Sequence, residues 1–153
     1  MATLEFRAAT REDLPAIVDL LADDDLGSTR EDTSQPLNPA YVDAFAALDD
    51  DPNQLLAVAV VDGHIVGCLQ LSFIPGLSRL GAWRGQIESV RVAADVRAAG
   101  HGRALIEWAI EECRRRGCRL VQLTSDKSRT DALRFYEALD FVPSHEGLKL
   151  VID

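Results

Sequence analysis

The stretch Val90 to Leu105 reads V-R-V-A-A-D-V-R-A-A-G-H-G-R-A-L. An apolar strand pattern runs through a short loop into a helical one, and Arg97-Ala98-Ala99-Gly100-His101-Gly102 stands at the helix entrance, followed by Arg103. Two glycines there let backbone N–H groups approach a ligand closely, and a helix N-terminus adds partial positive charge. The chemistry such a segment supports is capture of a phosphate or pyrophosphate. Spacing excludes two familiar phosphate loops: a dinucleotide fingerprint needs a small residue where Leu105 stands, and a nucleotide P-loop needs G-K-[ST] where this chain has Gly102-Arg103-Ala104. The competing reading is structural, with the glycines serving only a tight strand-to-helix turn.

Charge points the same way. The formal net charge is -9, which argues against nucleic acid as a partner, because phosphate neutralisation needs a basic face. Yet Arg97 to Arg134 holds nine Lys/Arg against five Asp/Glu. A basic stretch on an acidic chain suits a small, highly anionic ligand. Asp19 to Asp51 is its opposite, with ten acids against Arg30 alone. That region reads as solvated acidic surface or as an attractor for a cationic amine. Cys68, Cys113 and Cys118 are odd in number and lack metal-ligand spacing, so they read as reduced, buried thiols and no metal site is expected. No apolar run reaches the roughly 18–20 residues of a membrane helix, and M-A-T-L-E-F-R lacks a signal-peptide pattern. The expectation is a soluble, cytoplasmic protein with no membrane partner.

The elements that must position these residues follow from periodicity. At 153 residues and 47% hydrophobic content the chain fits a single domain over 1–153. Leu4 to Ala8 alternates like a strand. Thr10-Arg-Glu-Asp13 is a capping signal ahead of Leu14, Ile17, Val18 and Leu21 at helical spacing, and Asn38-Pro39 starts a second helix through Leu48. Leu55 to Val61 and Ile65 to Phe73 form a hairpin around Asp62-Gly63, and Trp83 to Val92 is a third strand of the meander. A helix over Arg103 to Arg116 is expected to carry Glu111–Arg115 and Glu112–Arg116 pairs and to stop at Gly117. Cys118 to Thr124 is a strand and Thr130 to Leu139 a helix. Phe141–Val142 and Leu148–Ile152 read as a closing pair of short strands. The order β-α-α-β-β-β-α-β-α-β-β predicts an α/β fold with helices on both faces of one mixed, mostly antiparallel twisted sheet.

With the Arg97–Gly102 loop in that position, the chain resembles the GNAT superfamily of N-acetyltransferases, whose acetyl-CoA loop reads R/Q-x-x-G-x-G/A between a strand and a long helix. Arg97, Gly100 and Gly102 match it. The family's ending, like T-N-x-x-R-x-D-A-x-R-F-Y-E-x-x-G-F, is similar to T-S-D-K-S-R-T-D-A-L-R-F-Y-E-A-L-D-F over Thr124 to Phe141. Two departures stand out: Asp140 replaces a glycine before Phe141, and Arg129 lies where many relatives carry a cofactor-contacting asparagine.

The resemblance implies acetyl-CoA as co-substrate, a V-shaped cleft opened by a bulge in the cofactor strand, and direct attack by an amine on the acetyl carbonyl. Backbone groups of Val90, Arg91 and Val92 would hold the pantetheine arm, and Arg97, Ala98, Ala99, Gly100, His101, Gly102 and Arg103 the pyrophosphate. Arg129, Lys127 or Arg134 would reach the adenosine phosphates. Tyr136 corresponds to the family's general acid, and a tyrosine with pKa near 10 is protonated at neutral pH. Glu88, by alternation on the face of Val90 and Val92, is the leading base, with Gln86 beside it and His145 a weaker alternative. The implied acceptor is a small-molecule amine; relatives are often homodimers, while the sequence itself does not give the oligomeric state. Protein or peptide Nα-acetylation and a non-catalytic acyl-CoA-binding regulatory module are the alternative functions.

Overall fold

Leu4–Ala8 forms β1, and its Arg7 explains how the first helix begins. Arg7 donates from both terminal nitrogens to Asp13, at 2.6 and 3.0 Å, while the Thr10 N–H donates to Asp13 Oδ2 at 2.7 Å. The capping box read from Thr10 and Asp13 is therefore present, at a 3₁₀ turn over Arg11–Asp13 that leads into α1, Leu14–Ala22. The Arg7 hydrogen bonds, with the Thr10 N–H, hold the Asp13 carboxyl down at about 2 against the resistance of its partial burial. A depressed carboxylate adds stability above its unfolded pKa and loses it as pH falls through the folded one. Asp13→Asn is accordingly expected to cost on the order of 1–2 kcal/mol at neutral pH, discounted for the half-exposed Arg7, and the gap from the parent should close between about pH 4 and 2. Urea unfolding at several pH values measures it.

This computed structural model describes residues 3–153, with the side chain of Ala98 outside the described set. After α1 come a 3₁₀ turn at Gly27–Thr29 and α2, Pro39–Asp49, whose Asn38 side chain accepts from the Ala40 N–H. β2 (Gln54–Val61) and β3 (His64–Ile74) turn through Asp62 and Gly63, both at positive φ. A four-residue turn, α3 (Ser78–Gly81), with Arg79 and Leu80 in the left-handed region, leads to β4, Arg84–Val92. A 3₁₀ segment, Ala94–Ala99, then feeds α4 (His101–Arg115), β5 (Leu120–Leu123) and α5 (Thr130–Glu137). The sheet order is β1-β2-β3-β4-β5, antiparallel through β4 and parallel between β4 and β5.

Both faces of the sheet are covered, as the alternation requires. α4 buries Leu105, Ile106, Ala109 and Cys113 against Leu69, Leu71, Phe73 and Ile87. On the other face Leu14, Ile17 and Leu20 of α1 meet Val58, Val60 and Cys68, and α2 adds Val42 and Phe45. Burial pushes the Cys68 and Cys113 thiols up to about 12, so both stay protonated in the core.

Three expectations are corrected. α4 begins at His101 rather than Arg103, and in place of the expected Glu111–Arg115 and Glu112–Arg116 pairs it forms i,i+3 pairs, Arg114 with Glu111 and Arg115 with Glu112. Arg116 has left the helix face: it donates to the Pro52 carbonyl at 2.7 Å and its guanidinium lies 4.1 Å from the Phe73 ring centroid. Phe141–Val142 and Leu148–Ile152 form no strands. Phe141 is retained by its N–H to the Tyr136 carbonyl, whereas Leu148, Leu150, Val151 and Ile152 meet no strand that would reward their β-propensity.

Candidate active site

β4 is two strands joined at a kink. Through Ile87 it pairs with β5, Arg84 to Leu120 and Ile87 to Leu123, and there the pairing ends. Ser89 adopts φ 56, and the β3 register slips between Cys68 and Gln70. Such a bulge swings the strand and leaves its outer edge without a strand partner, the Val90 carbonyl accepting instead from Arg91 Nη1 at 2.8 Å. The result is a cleft of about 180 Å³ between the splayed strands, lined by Ile87 to Arg91, Leu123 to Asp126, Arg129, Ala132 and Tyr136.

The extra residue also reverses the side-chain alternation, which corrects the placement of Glu88. Ile87 and, beyond the bulge, Val90 pack into the α4 core, while Arg91 turns to the α1 face. Glu88 pairs across to Gln70, on the face where Gln70 and Ser72 both donate to Gln54 and where Gln122 donates to Gln86. Glu88 therefore shares a face with Gln86 and Arg91, not with Val90 and Val92. It still lines the cleft, beside a strip of amide side chains on the sheet.

Tyr136 closes the cleft from α5. Its ring is held edge-on between Phe135 and Phe141, with centroids 5.1 and 5.7 Å away. Burial raises its pKa, and Arg91 and Arg129 pull less strongly in the opposite direction, so the phenol keeps its proton at neutral pH. The two arginines are drawn together by a residue that sequence patterning had not singled out. Asp24 Oδ2 lies 2.7 Å from Arg129 and 3.4 Å from Arg91, while Oδ1 accepts the Gly27 N–H. Partial burial opposes ionisation of Asp24, but Gly27 and the two guanidiniums outweigh it and lower its pKa. Asp24 Oδ2 and Arg91 Nε are buried without a partner in hydrogen-bond geometry. Nothing in the run Asp23-Asp24-Asp25 marks its middle member; only the tertiary approach of α5 does.

At the far end of β4, Gly100 takes φ 80 and opens α4, a conformation that favours glycine. The first-turn N–H groups of His101, Gly102 and Arg103 have no intrahelical acceptor. A Cβ on Gly102 would sit 3.6 Å from both Phe135 and Val92, ordinary contact, so the fold itself does not demand a glycine there. Arg97 folds back to donate to the Val92 carbonyl at 3.1 Å, and Arg103 pairs with Glu107. Ala99 is exposed and His101 half-buried at the same mouth. Lys127 pairs with Glu146, and the exposed His145 ring meets Ser144 outside the cleft lining. Among the described residues no group of three or more His, Cys, Asp or Glu is placed to hold a metal, and no helix is long and apolar enough to cross a membrane.

The site has a strand edge without a strand partner, a glycine-opened helix and, across the cleft, a half-buried phenol, and the model of the acetyltransferase (GNAT) family matches residues 14–141. The chain belongs to the GNAT acetyltransferase family. Among its GNAT relatives, the aminoalkylphosphonate N-acetyltransferase of Salmonella typhimurium is 32% identical over 145 residues, covering 95% of this chain and 89% of the relative. The glucosamine 6-phosphate N-acetyltransferase of Trypanosoma brucei brucei is 39% identical over 88 residues, 58% of each chain. A solved structure described as a transcriptional regulator from Bacillus halodurans superposes with a TM-score of 0.95 at 49% identity, covering 98% of this chain and all of that one. The GNAT fold thus accounts for the open sheet with helices on both faces.

Proposed function

We propose that this GNAT protein is an acetyl-CoA-dependent N-acetyltransferase acting on the primary amine of a small molecule, by direct attack in a ternary complex. The observation that carries the reading is the free edge of β4 beyond Ile87, facing Tyr136 and leading to the open N-terminus of α4. Acetyl-CoA supplies an acetyl thioester. Backbone groups of Val90, Arg91 and Val92 bond its pantetheine arm as an added strand would, and the amides and side chains from Arg97 to Arg103 surround its pyrophosphate. In the transfer, the amine nitrogen forms a bond to the carbonyl carbon as the C–S bond breaks. A backbone N–H near Val92 stabilises the oxyanion, the Tyr136 phenol gives its proton to the departing sulfur, and Glu88, on the acceptor face, takes the proton released by nitrogen. The phenolate is then reprotonated from solvent.

The acceptor carries an anionic group as well as its amine. Aminoalkylphosphonates and glucosamine 6-phosphate, named for the two relatives, both pair an amine with a phosphorus oxyanion. The incompletely bonded Arg91 and the neighbouring Arg129 supply donors suited to such a group. Arg129 thereby moves from the adenosine phosphates to the acceptor side. Arg129→Ala is expected to raise KM for an aminoalkylphosphonate roughly 10- to 100-fold while leaving KM for acetyl-CoA within about twofold. The reverse pattern in steady-state kinetics would return Arg129 to the cofactor.

The description of the Bacillus structure as a regulator supports a second reading, a module that binds acyl-CoA without turnover. A binding-only domain has no use for a protonated phenol in the cleft, which favours the enzyme. The deciding experiment is release of CoA thiol from acetyl-CoA against aminoalkylphosphonates, amino-sugar phosphates, polyamines, amino acids and peptides, with a no-amine control. Release with a phosphorus-bearing amine supports the proposal; release with peptides alone would redirect it to Nα-acetylation. Acetyl-CoA binding with no release above control would favour the module.

A further inference from the structure

The cleft lining includes Arg91 and Arg129 but not the carboxylate that holds them. Asp24 comes from the loop after α1, where the Gly27 N–H donates to its Oδ1, and its Oδ2 faces the Arg91 and Arg129 guanidiniums at 3.4 and 2.7 Å. The fit is poor. Oδ2 and Arg91 Nε are both buried with no partner in hydrogen-bond geometry, a costly condition for a polar atom. Arg91 meanwhile spends another donor on its own strand, at the Val90 carbonyl. Two guanidiniums against one carboxylate also leave the trio one positive charge in excess.

A carboxylate thus stands where a better anion would go. We propose that Asp24 is a built-in occupant of the acceptor's anion site: it holds Arg91 and Arg129 together until a doubly charged tetrahedral oxyanion displaces it. The inference rests on the reading that these two arginines receive the acceptor's anionic group, and adds how the site chooses among anions. Asp24 is tethered, so it competes at a high effective concentration and lowers the apparent affinity of every anion by the same factor. A monocarboxylate brings one charge and two oxygens, no more than Asp24 itself offers, and is left too weak to bind. A phosphonate or phosphate brings enough charge to balance both guanidiniums and a third oxygen to reach Arg91 Nε. Asp24 thereby sets a threshold that amino acids miss and that aminoalkylphosphonates and amino-sugar phosphates clear.

Titration with methylphosphonate, at a pH where it is doubly charged, tests the proposal on the full chain and on Asp24→Asn. Asparagine keeps Oδ1 as the acceptor for Gly27, so the substitution removes the charge and leaves the loop anchored. The variant is expected to bind methylphosphonate roughly tenfold more tightly than the parent, the factor by which the tethered carboxylate holds off a competitor. In the parent, saturating methylphosphonate should speed amide hydrogen exchange at Gly27, whose N–H loses its acceptor when Asp24 leaves. That measurement needs no variant, so it decides the matter even if Asp24→Asn is unstable. Equal or weaker binding by the variant overturns the proposal. So does Gly27 exchange that is unchanged or slower with the ligand bound, because Asp24 would then be a fixed part of the site. Either result leaves the acceptor reading standing, provided that Arg129→Ala abolishes methylphosphonate binding. Binding that survives Arg129→Ala, or no binding even by Asp24→Asn, overturns the anion site and this proposal together.

Discussion

Turnover of a Tyr136→Phe variant is expected to fall by about a hundredfold or more, with acetyl-CoA affinity and thermal stability close to those of the parent. The ring is positioned by edge contacts to Phe135 and Phe141, which phenylalanine reproduces, so the substitution removes the hydroxyl and little else. Because burial raises the phenol pKa, the parent's kcat should hold through neutral pH and decline only where tyrosine ionises; the variant should lack that alkaline limb. A purely structural tyrosine would leave the pH profile unchanged. Equal turnover in the two proteins removes Tyr136 from the chemistry.

Gly102→Ala should separate binding from folding, because the two effects have opposite signs. The added methyl meets Phe135 and Val92 at 3.6 Å, a distance the fold accepts, and alanine is the better helix former by up to about 1 kcal/mol. The variant is therefore expected to unfold at equal or higher urea concentration. Its affinity for acetyl-CoA should fall roughly 10- to 100-fold, the worth of one or two charge-assisted backbone hydrogen bonds that the methyl holds apart. Equilibrium titration of acetyl-CoA alongside urea unfolding measures both. Undiminished affinity would mean that the pyrophosphate does not approach the helix at this residue. Gly100 cannot serve as the probe, since at φ 80 an alanine there strains the backbone whatever the ligand does.

The elements with strong local chemistry are legible in the sequence alone. Thr10 with Asp13, Asn38-Pro39, Asp62-Gly63 and Gly117 each mark an end or a turn by a mechanism within a few residues, and all four features lie where expected. So did the glycine-opened entrance to α4, two residues early at its boundary. What escaped depends on partners distant in sequence. Alternation carried Glu88 to the wrong face because one left-handed residue, Ser89, has no signature in a run of ordinary strand formers. Asp24 looked like any other acid of its loop, although it joins Arg91 to Arg129 across the cleft. Leu148–Ile152 has the composition of a strand, but composition does not supply the second strand.

The kink at Ser89 separates what the main chain of β4 offers from what its side chains offer. Beyond it the strand offers main-chain groups, which are the same whatever residue carries them. At Gln86, Glu88 and Arg91 the same strand turns its side chains toward the opposite face. On the proposed function, mutation at those three positions would retune which amine is accepted while the grip on the acyl donor stayed nearly invariant. On that reading, one displaced residue in a nine-residue strand would make the scaffold evolvable, its donor chemistry insulated from the drift that changes its acceptor.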